Sequence, residues 1–185
     1  MTKIKENYRF QNWKTYMLKK PTLYKSKMFL DKRGFFQEIF LKKKLKSNLI
    51  FTAIAQSKKN VIRGLHFQKR NKQTKIIYVI DGKILDVVVN LRKKSKNFGK
   101  IYKFFLSKGD MLFVPNFYAH GYECLTKSCK ILYHLDNYRD AKNEDGINFK
   151  DKKLKIKWST KKPIISKRDS SSGSFLDFIK NVGTL

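Results

Sequence analysis

Acidic residues are scarce in this chain. Fourteen Asp and Glu stand against 43 Lys and Arg in 185 residues, a formal charge of +29. A field of that sign attracts nucleic acids, anionic membranes and phosphorylated small molecules alike. The lysines nevertheless run from Lys3 to Lys180, with local clusters only at Lys42-Lys43-Lys44, Lys93-Lys94 and Lys152-Lys153. A nucleic-acid protein concentrates its charge on one face and carries a recognition motif, and neither is present, so no nucleic-acid partner is expected. A general lysine bias accounts for the same distribution. Cysteine is reduced to Cys124 and Cys129, which excludes a disulfide framework, leaves no second pair for a zinc site and predicts two reduced, partly buried thiols. The three histidines form no clustered pair, and no metal site is expected. No apolar run is long enough to cross a bilayer, so no membrane partner is expected. The segment from Met1 to Asn7 lacks the apolar core of a secretion signal, so the protein is expected in the cytoplasm. With no internal repeat and no low-complexity linker, residues 1–185 read as one domain.

What is present is a chain able to pack. Hydrophobic residues make up 41% and aromatic residues 14%, which favours a folded core over disorder. The clearest local pattern is Lys75 to Ile80, then Asp81-Gly82, then Lys83 to Val89: two β-branched runs flanking Asp-Gly, which predict a hairpin with a tight primed turn. Strands are also predicted at Ile101 to Leu106, Met111 to Val114, Cys129 to Leu135 and Leu154 to Trp158, and earlier at Lys27 to Leu30, Phe35 to Phe40 and Leu49 to Ala55. Helical signals are few. Leu41 to Lys46 is a candidate short helix. Ser174 with Asp177 has the spacing of a capping box, ahead of an apolar stripe of Phe175, Leu176 and Ile179. Many short strands separated by turn signals predict an all-β sandwich or barrel with a few short helices, one near the C-terminus.

The chemistry concentrates at Arg63-Gly64-Leu65-His66-Phe67-Gln68, with Lys75 close behind. On extended chain, residues two apart share a face, so Arg63 and Leu65 share one face and His66 takes the other, unless Gly64 carries a bulge that re-aims the side chains. A titratable imidazole between fixed cations suits a site for an anionic substrate that must lose a proton.

From Lys27 to Asp169 the chain resembles the dTDP-4-dehydrorhamnose 3,5-epimerase family. The resemblance rests on motifs in order: Asp31-Lys32-Arg33-Gly34-Phe35-Phe36-Gln37-Glu38, then Asn60 to Gln68, Asp86 to Arg92, Val114 to Gly121, Leu132-Tyr133, Glu144 to Ile147, Ile156-Lys157-Trp158 and Ser166-Lys167-Arg168-Asp169. It implies a cupin-like jelly roll, a homodimer that exchanges N-terminal strands, with residues 1–20 as an interfacial arm, and a cofactor-independent reaction. That reaction inverts carbons beside the ketone of a nucleotide-linked 4-keto-6-deoxy sugar.

Residue by residue, the resemblance makes His66 the base and Asp169 the carboxylate that orients it, a pairing that fixes the tautomer and steadies the imidazolium. Tyr133 matches the proton donor on the opposite face. Lys75 and Arg63 match positions near the sugar, where cations stabilise an enolate oxygen, and Arg63 also suits the diphosphate. Arg33, Glu38, His120, Glu144 and Arg168 match substrate contacts, with Arg33 and Glu38 reaching a neighbouring subunit by analogy. His134 has no such match and reads as structural. The metal-binding His-x-His of many cupins is missing at Leu65-His66-Phe67-Gln68.

Three departures from the family pattern bear on the substrate. A Gln-x-Asn-x-Ser segment is common before the histidine motif, and here the chain reads Phe51-Thr52-Ala53-Ile54-Ala55-Gln56-Ser57, which looks shortened. Arg139 follows Tyr138 where a second tyrosine stacks on thymine, and no proline follows Arg139-Asp140. The acid–base set is intact, while the nucleotide and the number of inverted carbons stay open. A cupin ketoisomerase, a single-carbon epimerase on another nucleotide sugar, and a non-catalytic nucleotide-sugar or polyanion binder are the alternatives.

Overall fold

Two five-stranded antiparallel sheets and a two-stranded ribbon make up the β-structure of the computed structural model, which describes residues 20–40 and 48–181. The strands are β1 (Thr22–Tyr24), β2 (Met28–Asp31), β3 (Gly34–Gln37), β4 (Phe51–Lys58), β5 (Ile62–Gln68), β6 (Lys75–Asp81), β7 (Lys83–Asn90), β8 (Ile101–Ser107), β9 (Met111–Val114), β10 (Tyr118–Cys124), β11 (Ser128–Leu135) and β12 (Glu144–Gly146). Helices α1 (Lys167–Ser170) and α2 (Phe175–Asn181) follow. One sheet runs β1-β9-β6-β11-β4, the other β12-β5-β10-β7-β8, and β2-β3 form the ribbon. This is the expected all-β jelly roll with short helices late in the chain. The helix expected over 41–46, and the N-terminal arm save Lys20, lie outside the described residues.

Two apolar layers explain the strand compositions. Between the sheets lie Ile77, Val79, Ile84, Val88, Leu112, Tyr122, Cys124, Cys129 and Ile131. Behind the second sheet, Leu65, Leu85, Val87, Val89 and Ala119 meet Ile147, Leu154, Phe175 and Phe178 from the C-terminal segment. Strand β7 therefore feeds both layers, alternate residues to each, and all its residues from Ile84 to Asn90 are buried. A strand covered on both faces reads as a continuous apolar run instead of an alternating one.

That double burial corrects the expected hairpin. β6 pairs with β11 and β9, while β7 pairs with β10 and β8. The chain switches sheets at Asp81-Gly82 beside the β10–β11 connection, where the Lys83 amide donates to Thr126 Oγ1 at 3.0 Å. Asp-Gly supplies the sharp bend, but its short-range signal does not say which sheet the next strand joins.

The strand expected at Leu154 to Trp158 is also corrected. Asp151 Oδ1 accepts from the amides of Lys153 (2.9 Å) and Leu154 (2.7 Å), and Lys155 sits at φ 49°. This side-chain-held turn competes successfully with extended backbone. In α2 the capping box forms as expected: Ser174 N donates to Asp177 Oδ2 at 2.8 Å and Asp177 N to Ser174 Oγ at 3.1 Å. The apolar stripe differs, because Phe175 and Phe178 are buried while Leu176 is 48% exposed.

Gly82 is the residue the sheet switch depends on. Its φ is +82°, and a Cβ there would lie 2.3 Å from Ser128 O and 2.9 Å from Cys129 Cα, both backbone atoms. Replacing Gly82 with Ala is expected to destabilise the protein by at least ~2 kcal/mol, lowering Tm by about 4–8 °C, as read by thermal denaturation. An unchanged Tm would show that this corner relaxes freely.

Candidate active site

The β5 strand settles the facing of the histidine motif. His66 pairs with His120 of β10, but Arg63 pairs with Tyr122, so three steps on β5 match two on β10. The extra residue is a bulge at Gly64–Leu65. It sends Leu65 into the rear core and turns both Arg63 and His66 toward one cavity. Gly64 is needed for the close approach, because a Cβ would stand 2.6 Å from His120 O.

Helix α1 places the partner of His66. Ser166 caps the helix, its Oγ accepting from Asp169 N at 3.1 Å. The Asp169 carboxylate then faces β5. Oδ1 meets His66 Nε2 at 2.8 Å, and Oδ2 accepts the Gly64 amide at 3.0 Å. Burial is the largest influence on Asp169 and pushes its pKa up, but the hydrogen bonds from His66 and Gly64 outweigh it and hold the carboxyl below the usual range.

The cavity of about 630 Å³ opens between the sheets. His66, Arg63 and His120 come from β5 and β10, while Tyr133 and Lys75 come from β11 and β6. Tyr133 is flanked by Ala53 on β4 and Ile77 on β6 and meets the His120 ring edge-on at 6.2 Å. Burial is the main cause holding its phenol well above the ordinary tyrosine value. Burial also lowers the Lys75 pKa, against the opposing charges of Glu144 and Asp86. At the rim, Glu144 Oε2 accepts from Arg139 Nε (2.8 Å) and Arg168 Nη1 (3.0 Å), and these bonds lower its pKa despite burial, the largest single influence.

Nine of the eleven expected site residues therefore line one cavity: Arg63, His66, Lys75, His120, Tyr133, Arg139, Glu144, Arg168 and Asp169. Arg33 and Glu38 do not join them. Arg33 sits at the exposed β2–β3 turn, paired with Asp31 at 2.6 Å, and Glu38 follows β3 at the surface. His134 points away from this set, its Nδ1 2.9 Å from Thr52 Oγ1. Cys124 and Cys129 are both free and fully buried, and burial pushes the Cys129 thiol up to about 12. Among the described residues no cluster of three or more metal-ligating side chains forms.

The sequence reading missed two features. Asp86 Oδ2 meets His120 Nε2 at 2.7 Å, both groups buried, with Asp86 Oδ1 unpartnered. A carboxylate inside the apolar run of β7 was the available signal, since a buried charge demands a partner. Ser57 and Tyr122 form the other, joined at 2.8 Å beneath Arg63. β4 itself runs a full eight residues in unbroken register with β11, and Ala53 and Ala55 line the cavity.

No helix among the described residues is long and apolar enough to cross a membrane. The family model of dTDP-4-dehydrorhamnose 3,5-epimerase matches residues 15–177. The chain is 32% identical over 164 residues to the dTDP-4-dehydrorhamnose 3,5-epimerase of Shigella flexneri, covering 84% of this chain and 91% of that one. The crystal structure of the Bacillus anthracis enzyme of that name, with TDP and pyrophosphate bound, superposes with a TM-score of 0.80 at 36% identity, covering 83% of this chain and 93% of that one. A Legionella pneumophila epimerase in complex with dTDP-4-keto-L-rhamnose gives a TM-score of 0.81 at 27% identity over 86% and 90% of the two chains. The family match over residues 15–177, the identity to these enzymes over most of both chains and the jelly roll shared with them place this chain in the dTDP-4-dehydrorhamnose 3,5-epimerase family of isomerases.

Proposed function

We propose that the protein inverts C3 and C5 of dTDP-4-dehydro-6-deoxy-D-glucose to give dTDP-4-dehydro-L-rhamnose, by proton transfer through an enolate and without a cofactor. The observation that carries this reading is the His66–Asp169 pair on one wall and Tyr133 on the other, with Lys75 lining the same cavity. The C4 ketone acidifies the neighbouring C–H bonds. His66 takes the proton, and the electron pair moves onto the C4 oxygen. The imidazolium that forms is stabilised by Asp169. Lys75 is the cation for the enolate oxygen. Burial raises the intrinsic cost of its charge, so a developing anion beside it is strongly favoured.

Tyr133 supplies the proton from the opposite face. Its raised pKa keeps the phenol protonated over the working range, and an enolate is basic enough to take that proton. The rim arginines Arg139 and Arg168, tied to Glu144, and Arg63 on the floor suit the diphosphate. The names of the relatives and their bound TDP and dTDP-4-keto-L-rhamnose support the nucleotide and the sugar. Ala53, Ala55 and Arg139 favour testing other nucleotides next.

We further propose a cytoplasmic homodimer of single-domain subunits. The ribbon exposes Phe29, Leu30, Phe35 and Phe36 with Arg33 at its tip. A second copy covering these rings would carry Arg33 and Glu38 toward the partner's cavity.

The reaction is tested by incubating the protein with the dTDP-4-keto-6-deoxyglucose substrate in deuterated water and following C3 and C5 by NMR. Deuterium at both carbons with an L-configured product is expected. Exchange at one carbon would make it a single-site epimerase, and no exchange would turn the search to GDP, UDP and CDP sugars. His66→Ala is expected to lose about 10²–10⁴-fold in rate. Tyr133→Phe is expected to keep exchange while losing inversion, and full turnover by both variants would refute the assignments.

The His66–Asp169 pair also predicts a pH signature. The Asp169 pKa is lowered by folding, so its contribution to stability is present above the unfolded carboxylate value and is lost as pH falls through the folded one. Asp169→Asn is expected to cost about 1.5–3 kcal/mol at neutral pH. The gap from wild type should shrink below about pH 4. Urea unfolding at pH 7 and pH 3 measures both, and a gap independent of pH would mean that the charge of Asp169 contributes nothing.

A further inference from the structure

Beneath the cavity lies a buried polar chain that the proposed proton transfers do not use. Arg63 Nε donates to Ser57 Oγ at 2.9 Å, and Arg63 Nη2 donates to the Gln56 carbonyl at 3.0 Å. Ser57 Oγ is in turn 2.8 Å from Tyr122 Oη. Ser57 is 4% exposed and Tyr122 1% exposed, whereas Arg63 itself is open to the cavity. Burial pushes the Tyr122 phenol up to about 12, so it stays a neutral hydrogen-bonding group.

The three residues come from separate places in the fold. Ser57 is the innermost inward-facing residue of β4, in the first sheet. Arg63 and Tyr122 are cross-strand partners on β5 and β10, in the second. The backbone of Ser57 is held as well, since its carbonyl accepts from Cys124 Sγ at 3.5 Å and it pairs with Cys129 on β11. A long arginine side chain loses rotamer entropy when it grips an anion, unless the protein has already fixed it. Here Nε and one Nη2 hydrogen are engaged by β4. Of the five N–H donors of a guanidinium, the other three are left toward the cavity with the plane of the fork already set.

We infer that Ser57 and Tyr122 are positioning residues that pre-orient Arg63 to grip the diphosphate of the substrate. The inference rests on the proposed nucleotide-sugar reading for the identity of the anion. Ser57 acts directly on Nε. Tyr122 acts through Ser57, fixing where its hydroxyl sits. Neither touches the carbons that exchange protons, so their loss weakens binding of the anion and not the chemistry that follows.

The test is calorimetric titration of the whole protein with inorganic pyrophosphate and with dTDP, alongside steady-state kinetics. Ser57→Ala is expected to raise both Kd values and KM about tenfold, with the fall in kcat/KM carried by KM. Tyr122→Phe is expected to raise them less, and Ser57→Thr, which keeps the hydroxyl, to restore wild-type affinity. A pocket damaged by misfolding would lose affinity in Ser57→Thr as well. Ser57→Ala binding pyrophosphate as wild type does, or losing kcat at unchanged KM, would overturn the inference, as would wild-type protein that binds no pyrophosphate. Failure of the proposed reaction shows separately, as wild-type protein that binds pyrophosphate yet exchanges no deuterium.

Discussion

One carboxylate holds the site together. Asp169 accepts the backbone amide of Gly64 on one oxygen and pairs with the His66 imidazole on the other. The first contact satisfies the amide that the β5 bulge takes out of its ladder, and the second sets the ring that the bulge has turned inward. Remove the bulge and His66 and Arg63 fall on opposite faces of the strand. The geometry of His66 and the irregularity of the backbone are therefore one constraint, and a four-residue helix capped by Ser166 delivers it.

Around that anchor the sandwich sets the electrostatics. The apolar layer between the sheets runs up to the cavity floor, so Tyr133 and Lys75 sit where charge is poorly solvated. Burial moves them in opposite senses, the phenol toward keeping its proton and the ammonium toward losing it. Both shifts suit the roles proposed for Tyr133 and Lys75 beside a forming anion. The rim is built differently. Arg139 and Arg168 share one Glu144 oxygen, so their cationic charge is partly neutralised and their orientation is set before any ligand arrives.

Legibility in the sequence followed the range of the interaction. The capping box of α2 needs only Ser174 and Asp177, and it was readable. So were most of the strands, and the motifs that bring His66, Tyr133, Lys75 and Asp169 to one cavity. The facing of Arg63 was open until the β10 register showed the bulge. The Asp81-Gly82 hairpin misled because a turn signal is local and sheet membership is not. Leu154 to Trp158 misled because Asp151, outside the apolar pattern, fixes the turn. Ser57 and Tyr122 carried no signal at all: their bond exists only because β4 and β10 face each other across the sandwich.

The strand order has a kinetic meaning. Within the two large sheets, β7–β8 is the only pair of consecutive strands that are also neighbours among the described residues. Among the described residues strand β4 pairs only with β11, and β5 lies between β10 and β12, so both wait for much later segments to pair. Such non-local pairing slows folding, because chain entropy is lost before contacts return it. During synthesis the edge of β4, with Ile54 exposed, is an open template for mispairing. A chain carrying +29 repels its own copies through that interval, which opposes such mispairing between chains.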